Sequence, residues 1–330
     1  SEITLPTGID KEGKRRTAVC CLSSLNLETY DEWHTDKNFV HDVMRFLDNV
    51  MEDFIKRAPE TMQSAKYSAM RERSVGLGVM GFHSFLQKKG VPFDSVMAKV
   101  WNKRIFSLIK EQADKSSILL ADEKGACPDA KDYGVNERFS NKIAIAPTAS
   151  ISIICGGASP GIEPIAANSF VQKTLSGSFN VRNPHLKKVL QEKGKDDEKT
   201  WSSITINKGS VQHLDFLSDT EKATFKTAFE IDQRSVIDLA GDRTPFICQS
   251  QSLNIFLRPD VHKKDLHMIH FSAWKKGIKS LYYLRSLSIQ RSEVVSHNKK
   301  SKSVPIKGKI NENEKPNDNE LNYEECLSCQ

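Results

Sequence analysis

Short apolar runs bounded by turn residues alternate along this chain with long stretches of helical periodicity. That alternation constrains the fold more than any other feature. The runs cover 17–22, 142–146, 253–257 and 280–284. Residues 36–56 carry Val40, Val43, Met44, Leu47, Val50, Met51 and Phe54 in the i, i+3, i+4, i+7 rhythm of an amphipathic helix. A second helix is expected over 96–123, ending at Gly125. Ser218-Asp219-Thr220-Glu221 reads as a capping box that opens a helix running to about Ala240, and another helix covers 262–277. Strands separated by helices of this length imply an α/β fold with a largely parallel sheet.

With 330 residues and 38% hydrophobic content, the chain can bury the core of one large domain or two ordinary ones. No apolar run approaches the roughly 18 residues of a membrane span. No N-terminal segment reads as a signal peptide, so a cytoplasmic location is expected. A net charge of +6 is modest for this length and argues against a nucleic-acid binder. The terminal Cys326/Cys329 pair has no second pair with ligand spacing, so no metal site is expected. His267 and His270, three apart on an expected helix, read as structural.

The composition changes from about Ser292. Residues 291–310 hold six Lys/Arg against one acid, and 311–330 hold six acids against Lys315. Such a stretch cannot bury enough apolar surface to offset its ordering entropy, so 292–330 is expected to be a flexible tail behind a domain spanning 1–291. At its tip stand Cys326 and Cys329, a C-x-x-C pair suited to thiol–disulfide exchange. A tail of ~36 residues spans roughly 33 Å as a flexible coil. A compact body of this length has a radius of gyration of about 20 Å. The dithiol can therefore travel between a buried disulfide and solvent; the competing readings are a chance terminal pair or half of a metal site. Cys20, in the run Arg16-Thr17-Ala18-Val19-Cys20-Cys21, is expected on a core strand. Because neighbouring strand residues face opposite sides, only one of Cys20 and Cys21 should face a given site.

Several segments together resemble the catalytic subunit of class I ribonucleotide reductases. They are E-I-T-L-P-T (2–7), A-V-C-C-L-S-S-L-N-L (18–27), G-L-G-V-M-G (76–81), A-P-T-A-S-I-S (146–152), G-I-E-P (161–164), L-S-G-S-F-N-V-R-N-P-H-L (175–186), C-Q-S-Q-S-L-N (248–254), W-K-K-G-I-K-S-L-Y-Y-L-R-S (274–286) and C-L-S-C (326–329). Each is weak alone; their joint occurrence in order is specific. The resemblance implies an α/β fold forming the C-terminal half of a ten-stranded barrel, followed by the flexible tail. It also implies reduction of ribonucleoside diphosphates to deoxyribonucleotides by a thiyl-radical mechanism.

The same resemblance assigns roles. Glu2 is implied as the acid that accepts a ribose hydroxyl proton and contacts substrate, and Cys20 as one member of the reducible pair, with Cys21 facing away. Thr148, Ala149, Ser150 and Ile151 match the loop that holds the substrate diphosphate. Exposed N–H groups and a helix N-terminus suit that task. Tyr282 and Tyr283 match a radical-transfer pair. Regular pleating would send their rings to opposite faces, so a relay implies a bend or strand end there. Cys326 and Cys329 would exchange with thioredoxin or glutaredoxin.

No cofactor is implied in this chain; the tyrosyl radical and dimetal centre would belong to a partner small subunit. ATP and deoxynucleotide effectors would bind mainly in a preceding segment, and a homodimer of large subunits is expected. In the family pattern, the motif asparagine and radical cysteine would immediately precede Ser1. The chain is therefore expected not to turn over in isolation, as a gene fragment, a split-gene product or a post-intein segment. Cys248 stands where many relatives carry aspartate and reads as a packing variation. The alternatives are an anaerobic relative, whose glycine-radical motif is missing, and an inactive partner-binding remnant of the same family.

Overall fold

The computed structural model describes residues 2–174 and 177–286. The expected tail, with Cys326 and Cys329, lies outside them.

Strand β1 (Leu22–Asn26) pairs in parallel with β2 (Gly76–Met80), in the register Leu22↔Gly76 through Asn26↔Met80. Parallel bridges extend this pair sideways. Leu77 meets Ile143, and Ile145 meets Gln251. The chain carrying Gln251 continues into β3 (Ile255–Leu257), which pairs in parallel with β4 (Leu284–Ser286). Five extended segments thus lie side by side, all parallel and in chain order. Parallel neighbours need crossovers, and α1 (Phe39–Arg57) and α2 (Val96–Lys124) fall between consecutive segments of the row.

Both helices match their expected positions because their signals are local. Val40, Met44, Leu47 and Met51 are buried along one face of α1. Ser95 caps α2 by accepting the Ala98 N–H at 3.2 Å, and Gly125 ends it at φ 88°. The whole of β2 is buried. A Cβ on Gly78 would stand 2.5 Å from the Ala144 carbonyl oxygen, so only glycine lets the third segment approach this closely.

Three expectations require correction. The strand foreseen over 17–22 begins at Leu22, and the one foreseen over 280–284 at Leu284. The capping box forms: Ser218 Oγ accepts the Glu221 N–H and the Glu221 carboxylate accepts the Ser218 N–H. Its helix, however, ends at Thr224, and α3 (Gln233–Arg243) starts afresh from an Asp232 cap. Tertiary bonds interrupt it: the Phe225 carbonyl accepts from Asn168 Nδ2 at 2.7 Å, and the Ala228 N–H donates to the Ile165 carbonyl at 2.7 Å. A hairpin, Ser169–Thr174 with Gly177–Arg182, was not foreseen; it is antiparallel. α4 (Lys263–Lys275) matches its expected place.

Most buried apolar side chains form one core around the strand row and its helices. A second, separate core gathers Leu186, Leu190, Trp201, Ile204, Val211, Leu214, Leu217 and Phe225. Among the described residues no helix is long and apolar enough to cross a membrane.

Candidate active site

Glu2 is joined to the fourth segment of the row. Its carbonyl accepts the Ser250 N–H at 2.9 Å and its carboxylate accepts the Ser252 hydroxyl. Two residues on, the Thr4 N–H donates to Gln249 Oε1 at 3.2 Å. Partial burial works to raise the Glu2 carboxyl, but hydrogen bonding led by Ser252 outweighs it and holds the group below the usual carboxylate range. The carboxylate is thereby kept ionised, with its basicity reduced.

The phosphate-loop candidates lie where the third segment ends, next to Glu2's strand. Thr148 is buried and has φ 56°, in the left-handed region that β-branched residues rarely enter. Two bonds hold it there. Its Oγ1 accepts the Gly161 N–H at 2.7 Å, and its carbonyl accepts the Ser152 N–H at 3.0 Å. Ala149 is half-buried, while Ser150 and Ile151 are exposed. The helix they open, Ile151–Ile154, has only 4 residues. A helix this short carries only a small dipole.

Cys20 is not on a strand, contrary to expectation. The ladder starts where the Gly76 N–H donates to the Cys21 carbonyl at 2.9 Å, while the Thr17 N–H is diverted to Ser68 Oγ at 2.8 Å. This leaves Cys20 exposed just ahead of β1, at the opposite end of the row from the 148–151 loop. Cys21 is buried, its Sγ donates to the Leu47 carbonyl at 3.8 Å, and burial pushes its thiol up to about 11. Of the two adjacent thiols, one is thus exposed and the other buried. Cys248 is more than a packing variation: its exposed sulfur accepts the N–H groups of Lys142 and Ile143, each at 3.1 Å. His267 and His270 are exposed on α4, and no cluster of three metal-ligating side chains occurs among the described residues.

Tyr282 and Tyr283 sit immediately before β4, with ring centroids 4.0 Å apart and planes inclined at 42°. The backbone explains how adjacent residues achieve this. In a regular parallel ladder one residue would both donate to the Leu253 carbonyl and accept from the Ile255 N–H. Here Tyr282 donates to Leu253 at 2.8 Å, whereas Tyr283 accepts from Ile255 at 2.9 Å. Two residues therefore face the single Asn254, which is a β-bulge, and the strict alternation of side chains is broken. The Tyr283 N–H that the bulge frees donates to Asn254 Oδ1 at 3.0 Å. Asn254 is in turn bound to buried Glu163: its N–H donates to Oε1 at 2.8 Å and its Nδ2 to Oε2 at 3.0 Å. Burial pushes the Glu163 carboxyl up to about 7 despite these bonds. The Arg285 guanidinium lies 5.4 Å from the Tyr283 ring centroid. Ser252, Asn254 and Glu163 stand in C-Q-S-Q-S-L-N and G-I-E-P, and the acid between an apolar residue and a proline in G-I-E-P is the one signal of a role that the sequence offers.

Comparison with known proteins identifies the family to which this parallel strand row belongs. The family model described as "Ribonucleotide reductase, barrel domain" matches residues 1–136 and 129–284. The chain belongs to the ribonucleotide reductase family. It is 47% identical over 339 residues to the ribonucleoside-diphosphate reductase large subunit of Invertebrate iridescent virus 6, covering 99% of this chain and 35% of that protein. A putative large subunit from Frog virus 3 is 41% identical, with coverage of 100% and 54%. Among solved structures, the class Id ribonucleotide reductase alpha subunit of Actinobacillus ureae aligns with a TM-score of 0.75 and 42% identity, over 82% of this chain and 50% of that one. The chain thus spans between about a third and a half of the relatives it matches.

Proposed function

We propose that this chain forms the C-terminal part of a ribonucleoside-diphosphate reductase large subunit and works together with the remaining length that its relatives carry. The observation that carries this reading is the Tyr282–Tyr283 pair, whose rings a bulge at the end of the strand row brings to 4.0 Å between centroids. A pure packing role needs no such register break. A radical supplied by a small subunit with its own dimetal–tyrosyl centre would reach the active site through these phenols.

Glu2, held ionised by Ser252, accepts the proton of a ribose hydroxyl. The 148–151 loop receives the diphosphate. The 2′ C–O bond breaks and its oxygen leaves as water; a thiol pair that includes Cys20 supplies the two electrons and closes to a disulfide. Cys326 and Cys329 then reduce that disulfide by exchange and are themselves renewed by thioredoxin or glutaredoxin. Nucleotide effectors and pairing of large subunits belong mainly to the remainder of the protein.

The test is CDP reduction by this chain combined with the rest of a large subunit, a small subunit and a dithiol. Product is expected from the complete mixture and none from this chain with small subunit alone. Tyr282→Phe and Cys20→Ser should each bring product to background. Turnover by the chain with small subunit alone, or full turnover by Tyr282→Phe, would overturn the reading.

A further inference from the structure

We propose that Glu163 and Asn254 act together as the positioning clamp that holds the tyrosine bulge, and hence the close approach of the Tyr282 and Tyr283 rings. The inference rests on the relay reading above and adds to it two residues that touch neither substrate nor the reacting atoms.

A bulge leaves one backbone N–H without a ladder partner, and a side chain that accepts it fixes the register. That N–H belongs to Tyr283, and Asn254 Oδ1 accepts it. An amide side chain can turn either its oxygen or its nitrogen toward a neighbour. Glu163 removes the choice. Its two oxygens accept the Asn254 N–H and Nδ2. Nδ2 is thereby committed to Glu163, and Oδ1 must face Tyr283. Asn254 and Glu163 are both buried, so water is not available to replace either partner. Glu163 also belongs to the segment whose Gly161 N–H fixes Thr148. One short stretch, 161–163, therefore braces both the strained loop and the tyrosine pair. Arg285, over the Tyr283 ring, is the charged group that acts on Glu163.

A polarity swap tests the clamp in the complete large subunit with its small subunit. Asn254→Asp keeps an acceptor for Tyr283 but sets two carboxylates against each other. Glu163→Gln added to it restores a donor facing a carboxylate and an oxygen facing the residue 254 N–H. The readouts are the electron paramagnetic signal of 3-aminotyrosine placed at 283, and kcat and KM for CDP. Asn254→Asp should lower the radical yield and kcat by about tenfold or more, as loss of a buried hydrogen bond implies, with KM within about twofold. The double variant should recover most of both, since the pair is coupled. Unchanged radical yield in Asn254→Asp, or a double variant no better than the single, overturns the clamp. If the otherwise unaltered protein forms no radical on 3-aminotyrosine at 283, the relay reading fails instead.

Discussion

The hydroxyl of Ser252 donates to the Glu2 carboxylate across 250 residues of sequence, and the Ser250 N–H, two residues earlier on the same segment, secures the Glu2 carbonyl. The acid is thus fixed at both ends against the row that also carries Asn254.

Removing that donor has a signed consequence. Ser252 is the principal group lowering the Glu2 carboxyl against its burial. In Ser252→Ala the carboxyl rises, so less of it is ionised at a given pH. The acidic limb of the kcat/KM profile for CDP should move to higher pH, with the alkaline limb unmoved. An unshifted acidic limb would separate Glu2 from proton transfer.

The adjacent thiols should react differently. Cys20 is exposed, whereas Cys21 is buried with its thiol pushed up to about 11 and stays protonated at neutral pH. Brief treatment of the native protein with iodoacetamide, followed by mass spectrometry, should find label on Cys20 and none on Cys21. Cys21→Ser should keep turnover and cost about 1–3 kcal/mol of stability, because a hydroxyl is buried at an apolar site.

Thr148 and Gly161 support one another. Thr148→Val keeps the shape but leaves the Gly161 N–H without its 2.7 Å acceptor, a loss of about 1–3 kcal/mol. Gly161→Ala forces a side chain onto φ +51°, with its Cβ 3.2 Å from the Ala146 carbonyl oxygen. Both variants should melt earlier and raise KM for CDP, and Gly161→Ala should do so without removing any donor. A normal KM in both would detach the loop from the diphosphate.

Asp48 anchors the helical layer. It is fully buried and accepts from Arg73 at 2.7 Å, Arg138 at 2.9 Å and Lys124 at 3.0 Å. Burial alone would raise its carboxyl, but these cations hold it below its ordinary value. Its contribution is therefore present above the unfolded carboxylate pKa and is lost as pH falls through the lower folded one. Asp48→Asn leaves Arg138 and Lys124 without a carboxylate partner and Arg73 with Glu52 alone, and should cost about 3–5 kcal/mol in urea unfolding at neutral pH. The difference from the parent chain should shrink as the medium is acidified.

What could be read beforehand was what neighbours in sequence decide. Ser95, Gly125 and the buried stripe of α1 are local signals, and those helices lie where periodicity put them. The capping box at Ser218 was equally legible. Its early end was not, because Asn168 and Ile165, more than fifty residues away, take the backbone at Phe225 and Ala228. The strand starts near Cys20 and Tyr282 were misread for a similar reason: the register depends on which partner segment arrives. The tyrosine pair carried a hint, since a relay between adjacent residues required some break in pleating. That the break is a bulge, and that Asn254 and Glu163 hold it, follows only from long-range pairing.

The core around Trp201 shares no buried side chain with the one around the strand row. Water is thus excluded from two places whose opening need not coincide. The outlying place can breathe by releasing only its own side chains, exchanging amide protons with solvent while the row and its bulge stay shut. The tyrosines and the residues around Trp201 then answer to different free energies, and a change that loosens one need leave no trace on the other.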